Sequence, residues 1–187
     1  MSDEQQFFGP AVATFDAAVD RALDRIRGNR IADRVFLTAS ALGDWSLGWH
    51  LLGAGIALLD ERRLPDALRL AATLGIESVV VNQGVKRLFH RHRPVYVPST
   101  RAKGWPTIRI PTTSSFPSGH ASAAACAVVL LSKSQPRLMP LWLALGATVG
   151  LSRCYVRMHH ASDVVVGAAI GAAIGELASL LVPLPDR

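Results

Sequence analysis

The chain alternates between long apolar segments and short segments rich in charge. Few charged residues interrupt the apolar segments, whereas Arg, Asp, His and Pro crowd the connections between them. Long apolar segments joined by charged turns are typical of polytopic membrane proteins. The pattern therefore predicts an all-α membrane helical bundle of about five transmembrane helices, the third of them short for a span. They cover residues 35–59, 67–85, 119–133, 138–151 and 164–182.

The N-terminal segment, residues 1–34, has a different pattern, in which apolar residues recur at three-to-four spacing between arginines and aspartates. This spacing predicts an amphipathic helix over residues 11–34. One interpretation lays the helix on the membrane surface, where its five arginines would meet anionic headgroups. The alternative packs it on the rest of the domain as a soluble helix would. We expect an interfacial helix within 1–34 and a membrane-embedded core over 35–187.

Two features inside the apolar segments concern packing. Gly167, Gly171 and Gly175 recur every four residues, a stripe that lets membrane helices approach closely. Carboxylates are costly at membrane depth, so those within the spans should face the bundle interior, in structural hydrogen bonds more readily than in catalysis. They are Asp44, Glu77 and Glu176.

Composition narrows the classes of partner. The chain has 187 residues, enough for one domain with a substantial core; half are hydrophobic, 18% are charged, and the net charge is +6. The positive charge suits anionic lipid or a phosphorylated substrate. Nucleic acid is not expected as a partner, because few basic residues lie on polar segments that would fold on their own. Cys126 and Cys154 form neither a disulfide framework nor a metal-ligand spacing, and the acidic start is unlike a signal peptide.

The first of three polar clusters ends the second span. Lys86 and Arg93 are seven residues apart, so they would share one face of a helix that stops near Arg93, because Pro94 disfavours helix at the preceding residue. Two cations on one face would clamp an anion. The alternative is a headgroup-binding cluster that includes Arg87 and Arg91.

The second cluster opens the third span. Ser118 is a natural N-cap, and Gly119 allows the backbone to approach a ligand closely. The free N–H groups of a helix start favour an oxyanion, and His120 in the first turn would give or take a proton beside it. The alternative is an ordinary capped helix with an incidental histidine.

The third cluster links the fourth span to the fifth. Asp163 follows His159 by four residues, so on a helix the two side chains would touch, and the carboxylate would fix the imidazole tautomer and raise its basicity. Arg153 lies six residues upstream, where a turn would fold its guanidinium over the imidazole and hold a phosphate. A plain His–Asp hydrogen bond is the alternative. Alternating spans put all three clusters on one side of the bilayer, which indicates a phosphate site with two histidines and no metal.

These three clusters together resemble the three-part signature of the type-2 phosphatidic acid phosphatase superfamily, which also includes vanadium haloperoxidases and bacterial acid phosphatases. The matching residues are Lys86 with Arg93-Pro94, then Pro117-Ser118-Gly119-His120, then Ser152-Arg153 with His159 and Asp163. They follow in the right order and match at every defining position from 86 to 163. The flanking spans agree with the membrane-bound branch, although many of its members have six.

The resemblance implies metal-independent dephosphorylation through a phosphohistidine, with no cofactor. His159 would attack phosphorus, Asp163 would orient it, and His120 would protonate the leaving alkoxide. The phosphoryl oxygens would be held by Lys86, Arg93, Ser118, Gly119 and Arg153. It gives no role to His90, His92 or His160, which we expect to be structural or to face headgroups.

The alternatives are a vanadium-dependent haloperoxidase, disfavoured because a large soluble helical domain is lacking, and a non-enzymatic protein that binds anionic lipid. A site at the ends of membrane helices suits a lipid or polyprenyl phosphate, with the loop over residues 95–116 (Tyr96, Trp105, Ile108, Ile110) guiding it. The small five-span build also resembles actinobacterial enzymes that dephosphorylate decaprenyl-phosphoryl-phosphoribose.

Of the 20 Lys and Arg residues, 5 in the N-terminal segment and 9 in the site loops make 14 on one face. This excess predicts a cytoplasmic site in the inner membrane. The oligomeric state is not encoded in any pattern we recognise.

Overall fold

The computed structural model describes residues 8–94 and 113–183, and these residues are all-helical. Within them seven α-helices follow one another, with a π-helical turn (Val79–Gly84) and a 3₁₀ turn (Val85–Leu88) after the fourth. Their bounds are α1 Pro10–Asp24, α2 Arg30–Gly43, α3 Leu47–Leu59, α4 Leu64–Ser78, α5 Gly119–Ser134, α6 Met139–Tyr155 and α7 Ala161–Leu181.

The predicted single helix over 11–34 is two helices, which is a correction. Gly28 has a left-handed φ of 84°, and the Asn29 side chain caps α2 by accepting from the N–H groups of Ile31 and Ala32. A glycine that permits this turn and an asparagine cap end one helix and start another. The predicted boundary at residue 34 therefore lies inside α2. α1 packs against α6 and α7, with Leu23 buried, while its placement at a membrane surface stays a prediction.

The first predicted span, 35–59, is also interrupted. α2 ends at Gly43 and α3 begins at Leu47, because Trp45 and Ser46 both have positive φ values, 56° and 57°. Positive φ is uncommon for residues other than glycine and breaks a helix. The break leaves Asp44 at the end of α2, beside the start of α5.

The helix that leads into the first polar cluster, with Lys86 and Arg93, ends earlier than predicted. The chain becomes extended at Phe89 (φ −127°, ψ 146°), directly after the 3₁₀ turn, and not near Arg93. The Phe89 ring packs edge-on against Phe116, with centroids 4.7 Å apart, which draws the chain away from the helix axis. Lys86 and Arg93 therefore do not share a helix face, and only tertiary structure brings them together.

α5 is the centre of the bundle and packs against α4, α6 and α7. Its inner residues join Leu70, Leu74 and Trp142 in one buried core. The glycine stripe of α7 faces the α5 backbone: a Cβ at Gly167 would lie 2.4 Å from the Ser118 carbonyl oxygen. The predicted packing role of the stripe is thus confirmed, since only glycine permits this approach.

The three carboxylates predicted to face the bundle interior have different outcomes. Asp44 is partly exposed, with 45% of its side chain accessible, and pairs with His120. Glu77 is buried, as predicted. Glu176 is exposed and pairs with Lys133 at 2.6 Å, so its predicted inward orientation is wrong. In the part of the chain that the structure describes, one helix, α7 with 21 residues, is long and apolar enough to cross a membrane by itself. The number of spans stays a prediction.

Candidate active site

The turn between α6 and α7 places the histidine and the carboxylate of the third motif. α7 begins at Ala161, so His159 precedes the helix and the predicted shared helix face is wrong. His160 is the N-cap of α7, and Asp163 accepts from the His160 N–H at 2.9 Å in a capping box. The same Oδ2 of Asp163 lies 3.6 Å from Nδ1 of His159. The predicted pair is therefore brought together by a helix cap, and His160 has a structural role.

His159 is buried between a carboxylate and a cation. Its Nε2 lies 3.3 Å from Nη1 of Arg93, on the side opposite Asp163. Burial, reinforced by the positive charges of Arg93 and Arg153, lowers the pKa of His159, although Asp163 opposes the shift. The imidazole is consequently neutral at physiological pH, which is the state that a nitrogen nucleophile requires.

Arg93 is fixed by backbone carbonyls. Its Nη1 donates to the Met158 carbonyl at 2.8 Å, and its Nη2 donates to the carbonyls of Thr113 and Ser114 at 3.1 and 3.2 Å. Its Nε is buried and has no acceptor among the described residues. A guanidinium that is held at one edge and unsatisfied at Nε is prepared to donate to an anion.

Arg153 has the same character and is more deeply buried, with 2% of its surface exposed. Nη1 donates to the hydroxyl of Ser40 in α2, and Nε again has no acceptor within residues 8–94 and 113–183. The Arg153 carbonyl accepts from the N–H groups of Met158 and His159, which brings the turn back to Arg153. The charge of Arg153 acts on His159, while a guanidinium folded over the imidazole stays a prediction.

Lys86 completes a group of three cations. It is half-buried in the 3₁₀ turn, and the charges of Arg93, Arg153 and Asp163 all act on it. Burial, followed by repulsion from the two arginines, lowers the pKa of Lys86 to about 8. Lys86, Arg93 and Arg153 thus lie close enough to repel one another, and a bound anion would relieve this repulsion.

The second motif caps α5 and anchors it to α7. Ser118 is fully buried; its Oγ accepts from the Ala121 N–H, and its own N–H donates to the Asp163 carbonyl at 3.0 Å. Ser118 is thus the N-cap, as predicted. A Cβ at Gly119 would lie 2.6 Å from Oδ1 of Asn82, so the glycine permits a close approach of α5 to the π turn.

His120 faces the break between α2 and α3. Its Nε2 lies 3.0 Å from Oδ1 of Asp44, and Gly43 packs against its ring. Arg153 acts electrostatically on both His120 and His159, and so lies near both histidines. From sequence we predict only a general hydrogen-bonding role for Asp44; its position directly after Gly43, inside an apolar segment, is the signal for this pair.

Two further residues of the site were not predicted. Arg91, interpreted from sequence as a headgroup-binding residue, is buried and donates to Asp163 at 2.6 Å and to Asp16 of α1 at 2.7 Å. No sequence signal joins Asp16 to the third motif, 147 positions away along the chain (163 − 16). The predicted lipid-guiding residues Tyr96, Trp105, Ile108 and Ile110 lie outside the described residues.

Comparison with known proteins yields one family. The model of the PAP2 superfamily matches residues 66–185. The decaprenylphosphoryl-5-phosphoribose phosphatase of Mycobacterium tuberculosis is 32% identical over 151 residues, 79% of this chain and 81% of the relative. Phosphatidylglycerophosphatase B of Bacillus subtilis is 27% identical over 175 residues, 86% and 80% of the two chains. The crystal structure of a transmembrane PAP2-type phosphatidylglycerolphosphate phosphatase from Bacillus subtilis superposes with a TM-score of 0.67 at 26% identity, covering 91% of this chain and 86% of that one.

Proposed function

This chain belongs to the PAP2 superfamily and is a phosphatase, and we propose that it hydrolyses the phosphomonoester or diphosphate of a membrane lipid or polyprenyl carrier through a phosphohistidine. No metal or cofactor takes part in the proposed reaction. The residues that carry it are those of the three motifs, supported by Asp44.

One observation carries the proposal. The Nε groups of Arg93 and Arg153 are buried without acceptors in the described part of the chain, beside Lys86 and the neutral imidazole of His159. A buried donor without an acceptor is costly, and a phosphoryl group supplies several acceptor oxygens at once. The same oxygens would neutralise the three cations. A phosphoryl group therefore fits both the hydrogen-bonding and the charge requirements of this site.

In the first step of the proposed reaction, Nε2 of His159 attacks phosphorus, and the bond from phosphorus to the lipid oxygen breaks. Asp163, next to Nδ1, stabilises the positive charge that develops on the ring. His120 gives its proton to the leaving alkoxide, and Asp44 orients His120. Lys86, Arg93 and Arg153, with the Ser118 hydroxyl and the Gly119 N–H, hold the oxygens on which charge accumulates.

The second step returns the enzyme to its starting state. His120, now neutral, takes a proton from a water molecule whose oxygen attacks phosphorus. The bond between phosphorus and Nε2 breaks, inorganic phosphate leaves, and the imidazole of His159 is neutral again. His120 thus acts first as an acid and then as a base.

The outer surface supports a membrane-bound substrate. Large apolar side chains are exposed on α3, α4, α6 and α7, among them Leu58, Leu68, Leu143 and Leu180. A monomer in water rarely exposes so many, whereas lipid would cover them. We propose that the five spans are α2–α3, α4 with the π-helical turn, α5, α6 and α7. We also propose that the substrate is a polyprenyl or glycerolipid phosphate, as the names of the relatives suggest.

The positive-inside excess supports a cytoplasmic site. α1 contacts the turn after α6, so the N-terminal arginines and the site lie at the same end. Single cysteines at positions 103 and 62 would test this with an impermeant thiol reagent in intact cells, after Cys126 and Cys154 are replaced. We expect labelling at 62 alone; labelling at 103 alone places the site on the outer face.

Phosphate release from purified protein in detergent tests the function. The panel contains phosphatidic acid, phosphatidylglycerophosphate, polyprenyl phosphate and polyprenyl diphosphate, each with a His159→Ala control. We expect release from at least one substrate and a loss of about 10³-fold or more in the variant. The phosphohistidine is refuted if the variant releases phosphate at the rate of the unsubstituted protein.

A further inference from the structure

An acidic stripe of α1 is docked on the site. Asp16, Asp20 and Asp24 are spaced by four residues and so lie on one helix face. Asp20 and Asp24 both pair with Arg157 of the α6–α7 turn, at 3.1 and 2.9 Å. These two carboxylates are partly exposed, so their pairs act mainly to dock the helix. Asp16 differs because it is buried and faces the catalytic carboxylate.

The Asp16 carboxylate accepts hydrogen bonds from the start of α7 and from Arg91. Its Oδ1 accepts from the Ser162 N–H at 2.7 Å, and its Oδ2 accepts from the Ser162 hydroxyl at 2.8 Å and from Nη2 of Arg91 at 2.7 Å. With 7% of its surface exposed, it would be expensive to hold as an anion without these donors. The site is therefore built to keep a negative charge at this position.

Arg91 joins Asp16 to the pair that faces His159. Nη1 donates to Oδ1 of Asp163 at 2.6 Å and to the Ser162 hydroxyl at 2.7 Å. Because Oδ1 of Asp163 is engaged in this way, Oδ2 is left for the His160 N–H and for Nδ1 of His159. Arg91 thus sets which carboxylate oxygen the imidazole meets.

We propose that Asp16 and Arg91 are positioning residues of the phosphatase reaction, which hold Asp163 toward His159 and set the charge that the imidazole experiences. The inference rests on the proposed function. Asp16, Arg91 and Asp163 together carry one net negative charge, with which the positive ring of the phosphorylated His159 interacts favourably. Without Asp16 the group would be neutral, and without Arg91 its two carboxylates would repel each other.

Asp16→Asn and Arg91→Gln should move the acid limb of the pH profile of kcat in opposite directions. On this limb kcat falls toward low pH because His159 becomes protonated. The other charged groups that act on His159 stay constant in the comparison: Arg93, Arg153 and Asp163. Lys86, on which the same three groups act, also stays constant. Asp16→Asn removes a negative charge, which lowers the pKa of His159 and moves the limb to lower pH. Arg91→Gln removes a positive charge and moves the limb to higher pH. A residue with a purely structural role would move neither.

The experiment measures kcat, KM and the position of the acid limb. The substrate is one that the unsubstituted protein hydrolyses and that His159→Ala does not. This choice tests the proposed function before the inference about Asp16 and Arg91 is tested. For Asp16→Asn we expect kcat to fall roughly ten- to hundredfold, with KM nearly unchanged, and the limb to move down by about one pH unit. Asp24→Asn is the matched control, a carboxylate of the same stripe that does not reach Arg91, and should keep kcat and the limb.

Arg91→Lys guards against a variant that fails to fold. It keeps the positive charge and should leave the limb in place while recovering part of the kcat lost in Arg91→Gln. Equal losses in Asp16→Asn and Asp24→Asn, with the limb unmoved in both, would overturn the inference and leave α1 as a docking helix. A limb that moves in the same direction for Asp16→Asn and Arg91→Gln would overturn it as well.

Discussion

The two ends of the helical bundle handle charge in different ways. At the site end, Arg91, Arg153 and Asp163 are buried, and their partners come from helices far apart in the chain. At the opposite end, Arg62 pairs with Asp60 two residues away, and Lys133 pairs with Glu176 on the surface. Buried charges are costly unless several donors and acceptors converge on them. The charges at the site end are therefore stabilised by partners from distant helices, whereas these surface pairs at the opposite end are stabilised mainly by solvent.

The opposite end has one buried carboxylate of its own, which makes the difference sharper. Asp66 accepts from the Ser134 hydroxyl at 2.6 Å, and Arg63 donates to the Ser134 carbonyl at 2.8 Å, which closes α4 against the end of α5. In this cluster one cation, Arg63, lies beside one buried carboxylate. A single buried Nε without an acceptor among the described residues occurs at this end too, on Arg69. At the site end two such donors, on Arg93 and Arg153, converge with Lys86 near His159, and this convergence, rather than burial, distinguishes the binding site.

Among the substitutions that compare the two ends, Arg153→Lys has the largest expected effect. Lysine keeps the charge but carries all its donors on one nitrogen, so it loses the separate Nη1 and Nε positions with which arginine would reach Ser40 and a phosphoryl oxygen. We expect kcat for phosphate release to fall about 10²-fold. Arg63→Lys is the equivalent change at the opposite end and should leave kcat unchanged. Equal losses from the two substitutions would mean that the unsatisfied guanidinium has no special role.

A smaller effect is expected from alanine in the glycine stripe of α7. At Gly167 the new Cβ would lie 2.4 Å from the Ser118 carbonyl oxygen, so α5 and α7 must separate where Ser118 donates to Asp163. We expect kcat to fall by about tenfold, since small displacements of reacting groups are costly. At Gly175, nearer the opposite end, the closest atoms are the Cys126 carbonyl oxygen and Cβ of Val129, each 3.0 Å away, so the two helices need to separate far less than at Gly167.

Gly175→Ala is therefore the matched control. It should keep kcat, while its melting temperature in detergent changes little, because the helix propensity of alanine offsets the tighter contact by up to about 1 kcal/mol. If Gly175→Ala lowers kcat as much as Gly167→Ala, the entire contact between α5 and α7 supports catalysis. The part of the contact at the site end would then have no greater effect than the rest.

Local patterns in the sequence predicted much of this fold. The apolar segments after residue 60 became α4 to α7 with bounds close to those predicted, and the Ser118 cap lies where expected. The bonds of a cap and the periodicity of an apolar face depend on neighbours within one or two turns, so the sequence displays them. The break at Trp45 and Ser46 was missed because positive φ at such residues depends on tertiary packing.

The same distinction between local sequence and tertiary packing applies to the site residues. Motif spacing predicted the residues that gather around His159, but it placed His159 on a helix and extended the first-motif helix to Arg93, and both placements are wrong. Arg91 and Asp16 were missed altogether. A lone arginine in a basic loop resembles a headgroup ligand, and only the fold shows that it is buried between two carboxylates from distant helices.

The smallest expected effect is that of Lys133→Ala. Lys133 and Glu176 form a 2.6 Å ion pair with both side chains about half exposed, so its loss should change the free energy of unfolding by less than about 1 kcal/mol. Melting temperatures at low and high salt measure this, and the difference from the unsubstituted protein should shrink as salt screens the pair.

Phosphate release by Lys133→Ala should equal that of the unsubstituted protein, although Lys133 lies in the last turn of the helix that begins beside His120. A loss of release would mean that a change at one end of α5 tilts the helix at the other. The contacts argue against such a tilt, because the N-cap Ser118 and, in α5, Ser122 and Cys126 lie directly against the three glycines of α7. A helix held at three levels by backbone contact has little freedom to transmit a surface change, so the two ends should respond independently.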